Sequence, residues 1–293
     1  MQGALAAYPH LGCTGGPYEV WKIWGVSDQV LCAGNDSVLT FIDDVLTEVM
    51  DIFPSEYIHV GGDECPKISW KECPLCQKRI KEEGLKGDKQ HSAEERLQSY
   101  FVQRMEKYLS GKYGKKIIGW DEILEGGLAP SATVMSWRGE AGGIAAANMD
   151  HDVIMTPGSG GMYLDQYQGD SKIEPVTIGG YATIEKVYSY NPIPDTLVTT
   201  GKAQHVIGVQ CNNWSEYMYN TDLMEYRMYP RMLALAEIGW SPLNRKDYKD
   251  FERRLDNAYV RLDAHNINYH IPQPEQPNGS CTVSYTHLRA HET

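Results

Sequence analysis

Two adjacent carboxylates, Asp63 and Glu64, follow two glycines at the end of a short apolar run, Tyr57-Ile58-His59-Val60. The arrangement suits proton chemistry. Two carboxylates facing one pocket disfavour each other's charged form, so one can stay protonated as an acid while the other stays ionised. Neighbours on a regular strand point to opposite faces. The pair can therefore serve one pocket only where the chain leaves strand geometry. Gly61 and Gly62 permit that bend and let a ligand approach the backbone.

Similar residues follow other apolar runs: Trp120-Asp121-Glu122, Trp137-Arg138, Tyr163-Leu164-Asp165 and Trp214-Ser215-Glu216. The runs read as strands at residues 57–60, 116–120, 133–137, 152–156 and 206–210. Helical spacing of apolar residues lies between them. Ser37 is expected to cap a helix carrying Val38, Phe41, Ile42, Val45, Leu46 and Val49, and Ser92 to open one carrying Leu97, Tyr100, Phe101, Met105 and Leu109. Further helices are expected near 140–149 and 222–239, with a last one through Phe251, Leu255, Ala258, Tyr259 and Leu262. Residues 1–35 read as a Gly- and Pro-punctuated loop, and residues 65–91 as an irregular, Lys-rich insertion.

Short apolar strands alternating with helices imply a parallel sheet covered on both faces. Polar and aromatic residues at the C-terminal ends of successive strands are the layout of a (β/α)8 barrel active site. Five strands are countable, so the expectation is an incomplete TIM barrel holding strands 4 to 8. An open doubly wound sheet is the alternative fold, although no Gly-rich phosphate loop opens a helix.

Each residue also has a plain structural reading. A Trp at a strand end can be packing, and a lone loop acid can be solvated. Glu122 can simply begin a helix, where an acid suits the dipole. As a set, three Trp at three strand ends with acids beside them would make an aromatic-walled pocket for a pyranose ring.

Composition narrows the partners. The 293-residue chain has a formal net charge of -12, which argues against a nucleic-acid backbone as partner. It carries 19 Tyr and 7 Trp against 4 Phe, residues that join an apolar face to a polar handle. No run approaches the roughly 20 apolar residues of a membrane span. Of its seven cysteines, Cys13 and Cys32 flank a loop that a disulfide could close. Cys73-Pro74-Leu75-Cys76 resembles half a zinc site. Without a second CxxC or paired His, loop clips or free thiols are favoured over a metal. Cys211 reads as a buried strand residue.

The ordered motifs His59-Val60-Gly61-Gly62-Asp63-Glu64, Gly119-Trp120-Asp121-Glu122, Val134-Met135-Ser136-Trp137-Arg138-Gly139, Tyr163-Leu164-Asp165 and Asn213-Trp214-Ser215-Glu216 resemble glycoside hydrolase family 20, the β-N-acetylhexosaminidases. The resemblance covers roughly residues 1 to 265. It implies an exo-acting, retaining hydrolase of terminal N-acetylhexosamine that uses the substrate's own acetamido group as nucleophile, with no cofactor and no metal. Glu64 would be the general acid/base, and Asp63 would orient the acetamido group. Tyr163 would hydrogen-bond the acetamido oxygen. Trp120, Trp137 and Trp214 would wall the sugar, Asp165 and Glu216 would hold outer hydroxyls, and His59 would support the site. The substrate would be an oligosaccharide or glycoconjugate. A non-catalytic carbohydrate-binding relative is a second reading, and an inactive isolated chain a third.

The resemblance also bears on the ends. The 65–91 insertion looks like the Bacteroidetes-type version, implying export from a bacterium to the periplasm or surface. Met1 to Pro9 resembles the segment after a third strand, so an upstream part carrying a sugar-gripping Arg is expected. Residues 266–282 read as a linker toward a further module. Val283 to Thr293 resembles a translated sequencing adapter, which makes the His287 and His291 spacing uninformative.

Overall fold

A computed structural model describes residues 2–272. The five strands form one parallel sheet: β1 (Tyr57–His59), β2 (Lys116–Trp120), β3 (Thr133–Ser136), β4 (Val153–Met155) and β5 (Val206–Val209). Their spatial order is their chain order. A doubly wound sheet reverses its order at a switch point; this one does not. The sheet is five consecutive strands of a TIM barrel wall, with β1 and β5 as its edges. Ile207 on β5 is 46 % exposed, as an unpaired edge leaves it.

The helices are α1 (Gln2–Ala7), α2 (Asp36–Ile52), α3 (Ile68–Glu72), α4 (Pro74–Glu82), α5 (Ala93–Tyr113), α6 (Ala141–Asn148), α7 (Ile184–Ser189), α8 (Asp195–Thr199), α9 (Thr221–Met228), α10 (Arg231–Trp240) and α11 (Tyr248–Ala264). Asn35, not Ser37, caps α2: its side chain accepts from the Ser37 amide at 3.0 Å. Ser92 caps α5 in a full capping box with Glu95, and Gly114 closes that helix in the left-handed region. The helix expected over 222–239 is two helices, because Pro230 cannot supply the amide that would continue it.

The main core joins strand residues Ile58, Ile117, Val134, Val153 and Met155 to Leu46 and Met50 of α2 and Val102, Met105 and Leu109 of α5. A second core lies among α7, α10 and α11, around Met162, Val187, Ala234, Ile238 and Phe251. The 65–91 insertion is helical and has a core of its own. Trp70, Cys73, Cys76 and Ile80 pack with Leu5, Leu11, Val30 and Cys32. Their spacing is helical, and the charged residues between them masked it. Cys13 and Cys32 are not bonded to each other; both approach Cys76, at 3.9 and 3.7 Å. Cys211 lies just past β5, half-buried.

Residues 266–270 fold back onto α9. Tyr226 Oη lies 2.9 Å from His270 Nδ1, and the Asn268 amide donates to Glu225. The rest of the expected linker beyond residue 272 and the 283–293 segment lie outside the described residues. Among those residues no helix is long and apolar enough to cross a membrane.

Candidate active site

The chain leaves strand geometry where the two glycines stand. The Val60 amide donates to the Ile118 carbonyl, and the Trp120 amide to that of Gly61 at 2.9 Å. Gly61 and Gly62 then take φ of 75° and 97°. A Cβ on Gly62 would sit 2.5 Å from Ile123 Cγ2, so a side chain is excluded there by both space and φ. The Gly62 carbonyl accepts from the buried Gln98 side chain at 2.8 Å. Glu64 itself is left-handed, with φ of 46°. A non-glycine residue held there costs about 1–3 kcal/mol, a strain that clusters at functional sites. Asp63 and Glu64 emerge exposed at the C-terminal end of the sheet. The pair stands on the open side of the sheet, where β1 is an edge strand.

Beside this bend the aromatics gather. Ring centroids of Trp120 lie 6.0 Å from Trp137 and 5.5 Å from Trp214, and Trp137 lies 6.4 Å from Trp214. Tyr163 is 6.3 Å from both Trp137 and Trp214. All four are half-buried. Two features bring them together. Trp120 and Trp137 end adjacent strands. Past β4 and β5, pairing resumes between Tyr163 and Asn212, which carries Trp214 toward Tyr163. His59 packs on Trp120 with centroids 4.8 Å apart, and its Nδ1 accepts from the Gly61 amide at 3.0 Å. In the neutral ring that bond leaves the proton on Nε2.

The acids under the box do structural work. Asp121 and Glu122 are 2 % and 6 % exposed, at the start of a 3-10 turn. Glu122 Oε2 accepts from the Trp137 indole at 2.9 Å, and Asp121 Oδ1 from Arg138 Nε at 2.7 Å. Burial pushes the Glu122 carboxyl above the ordinary range, against the pull of Trp137 and Arg138. Sequence reasoning placed Trp137 in the pocket but missed that Glu122 and Arg138 orient it.

Tyr163, Asp165 and Glu216 complete the set unequally. The Tyr163 hydroxyl donates to the Trp137 carbonyl at 2.6 Å. Burial, then the charges of Asp121, Asp165 and Glu122, raises its pKa, so the phenol remains a donor. A ligand oxygen would have to draw it from Trp137. Asp165 is buried, and its Oδ1 has no hydrogen-bond partner. Burial raises its pKa, and Glu216 adds to the effect. Such an acceptor fits a ligand hydroxyl. Glu216 is exposed at the rim.

Two buried arginines hold this loop, and the sequence reading missed both. Arg227 donates to the carbonyls of Asp165, Pro175 and Val176. Arg231, fully buried, donates to those of Gln166, Ala182, Leu164 and Arg227. Their cue was weak: two cations four residues apart, on either side of Pro230.

Known proteins share this architecture. Residues 1–243 match the family model for the glycosyl hydrolase family 20 catalytic domain. A β-hexosaminidase of Porphyromonas gingivalis is 62 % identical over 277 residues, 94 % of this chain and 35 % of the relative. The chain thus spans about a third of that protein's length. Two crystal structures superpose closely. One is the β-N-acetylhexosaminidase of Bacteroides fragilis (TM-score 0.72, 29 % identity, 91 % of this chain and 51 % of that one). The other is a Vibrio harveyi exo β-N-acetylglucosaminidase in complex with N-acetylglucosamine (TM-score 0.78, 28 % identity, 93 % and 42 %). With five consecutive barrel strands, an aromatic box at their C-terminal ends and this match over most of its length, the chain belongs to glycosyl hydrolase family 20.

Proposed function

We propose that the protein containing this chain is an exo-acting, retaining β-N-acetylhexosaminidase, and that the nine predicted site residues act together in it. Trp120, Trp137 and Trp214 enclose the 2-acetamido group and ring of a terminal N-acetylhexosamine. Asp165 and Glu216 accept its outer hydroxyls. Asp63 accepts from the acetamido N–H and holds the carbonyl oxygen in line with C1. Tyr163 donates to that oxygen, and His59 braces Trp120.

The reaction then needs one proton carrier. Glu64 gives its proton to the glycosidic oxygen as the C1–O bond breaks, and the acetamido oxygen bonds to C1 as an oxazolinium ion. The Glu64 carboxylate next takes a proton from water. That water attacks C1 and reopens the ring on the original face. Holding the nucleophile in the same molecule supplies effective molarity in place of a second carboxylate.

The observation that carries this reading is the aromatic box beside the Gly61–Gly62 bend, with Asp165 Oδ1 buried and unpartnered behind it. Similarity to β-hexosaminidases, including one structure holding N-acetylglucosamine, supports the substrate class. Similarity to the Porphyromonas protein supports a bacterial source; export to the periplasm or surface is proposed with it on the resemblance of the 65–91 insertion alone. The exposed edges of β1 and β5 favour a second statement, that the isolated chain turns over substrate poorly. A chromogenic N-acetylglucosaminide, assayed on the complete gene product and on this chain, tests both. Hydrolysis by the former and little by the latter is expected; none by either contradicts the function.

A further inference from the structure

The four cysteines of the N-terminal layer form a cluster that the hydrolytic site does not use. Their sulfur atoms all lie within 4.8 Å of one another. Cys32 Sγ is 3.6 Å from Cys73 Sγ and 3.7 Å from Cys76 Sγ, and Cys13 Sγ is 3.9 Å from Cys76 Sγ. A zinc ion bound by four thiolates at about 2.3 Å sets its sulfurs about 3.8 Å apart along each tetrahedral edge. A disulfide would instead bring two sulfurs to about 2.05 Å. Here one sulfur has two near-equal neighbours, which is the spacing of a shared centre rather than of two pairs.

The chain is built to deliver these groups. Cys73 and Cys76 stand at the N-terminus of α4, Cys73 as its cap and Pro74 as its first residue. Helix N-termini favour thiolates. Cys13 and Cys32 each follow one partner of the antiparallel bridge Gly12–Leu31, which puts them on one face, diagonally across the bridge. Gly34 lets this loop touch the Cys73–Cys76 turn: a Cβ there would lie 2.2 Å from the Leu75 carbonyl. Leu11, Val30, Trp70 and Ile80 surround the cluster, so Cys32, Cys73 and Cys76 are buried.

We propose that Cys13, Cys32, Cys73 and Cys76 form a closed, structural tetrathiolate site for a zinc ion. Four thiols release their protons to solvent as the ion binds. All four positions are taken by protein, so the centre has no open site for catalysis. Its effect is to clamp residues 8–35 onto the insertion that begins directly after Glu64. Hydrogen bonds outside the sulfur cluster already join these segments: Ser69 Oγ to the Asp28 carbonyl at 2.6 Å, and Trp70 Nε1 to that of Leu31 at 2.9 Å.

The test is metal content of the full-length chain, purified without chelator and measured by elemental mass spectrometry. One zinc per chain is expected, released in step with titration of four thiols by a mercurial. Exchange with cobalt should give the intense visible bands and sulfur-to-metal charge transfer of a tetrahedral thiolate site. Cys13→Ser should lose zinc to a chelator at least tenfold faster, whereas Cys13→His, which keeps a ligand, should retain it. Should Cys13→Ser fail to fold, metal content and the cobalt spectrum of the unaltered chain still decide. Iron in place of zinc, an intact mass showing two disulfides, or four free thiols without cobalt bands would each overturn the assignment.

Discussion

The indole N–H of Trp137 donates to the Glu122 carboxylate at 2.9 Å. One wall of the aromatic box is thus oriented by an acid that touches no sugar in the proposed reaction. Glu122 shares this task with Arg138, which reaches Asp121 and Glu125 as well.

Replacing Glu122 with Leu should therefore free the indole and leave Arg138 less balanced. The expected cost is about 1.5–3 kcal/mol of stability, the range for a hydrogen bond to a charged group. In the complete protein KM should rise more than kcat falls. Glu122→Gln keeps an acceptor and should recover most of both. Denaturant unfolding with steady-state kinetics checks the pair; equal loss in both variants contradicts a hydrogen-bonding role.

Asp165 predicts a pH dependence whose sign is set by burial. Its folded pKa lies above the ordinary carboxylate value, so in that window the native state holds more protons than the unfolded one. Stability should fall as pH rises from the ordinary value through the folded one. Asp165→Asn should remove that slope and be at least as stable at neutral pH. It should also weaken sugar binding by about tenfold or more, as expected for losing a charged acceptor. Unfolding midpoints across acid pH and product-inhibition constants measure the two effects.

Arg231→Met should be severe. It removes donors from the carbonyls of Gln166, Ala182 and Arg227 at 3.2, 2.8 and 2.6 Å, and from that of Leu164. Carbonyls stranded in a buried site cost about 1–3 kcal/mol each when left unsatisfied. Limited proteolysis should then cut within residues 164–182 before the rest of the chain.

Gly62→Ala probes the bend beneath the acids. The added Cβ meets Ile123 Cγ2 at 2.5 Å, at a φ of 97° that side chains avoid. A loss of about 1–3 kcal/mol is expected from strain. Adding Ile123→Val, which leaves Cγ2-type branching, should not rescue it; Ile123→Ala should relieve the clash but not the φ.

Much of this was legible in the sequence. All five strands fall within a residue of their expected ends, since apolar runs with chemistry at one end leave little choice of register. The Gly61–Gly62 bend was legible because only glycine tolerates what it does there. The split of α9 and α10 at Pro230 was hidden by continuous apolar spacing. The helical insertion was hidden by the lysines between Trp70, Cys73, Cys76 and Ile80. The roles of Glu122, Arg138, Arg227 and Arg231 depend on which carbonyls and indoles the fold brings within 3 Å, and no local pattern carries that. The sulfur cluster escaped notice for the same reason. Cys13 and Cys32 become a pair only through the Gly12–Leu31 bridge.

The central claim, that Glu64 carries the proton, is tested most directly by Glu64→Gln in the complete protein with two leaving groups. An N-acetylglucosaminide with a poor leaving group should lose about 10²–10⁴-fold in kcat/KM, the usual contribution of a general acid. One with a highly acidic phenol, which needs no protonation, should form the oxazolinium ion almost as fast as before. Undiminished turnover of the poor leaving group would contradict the account.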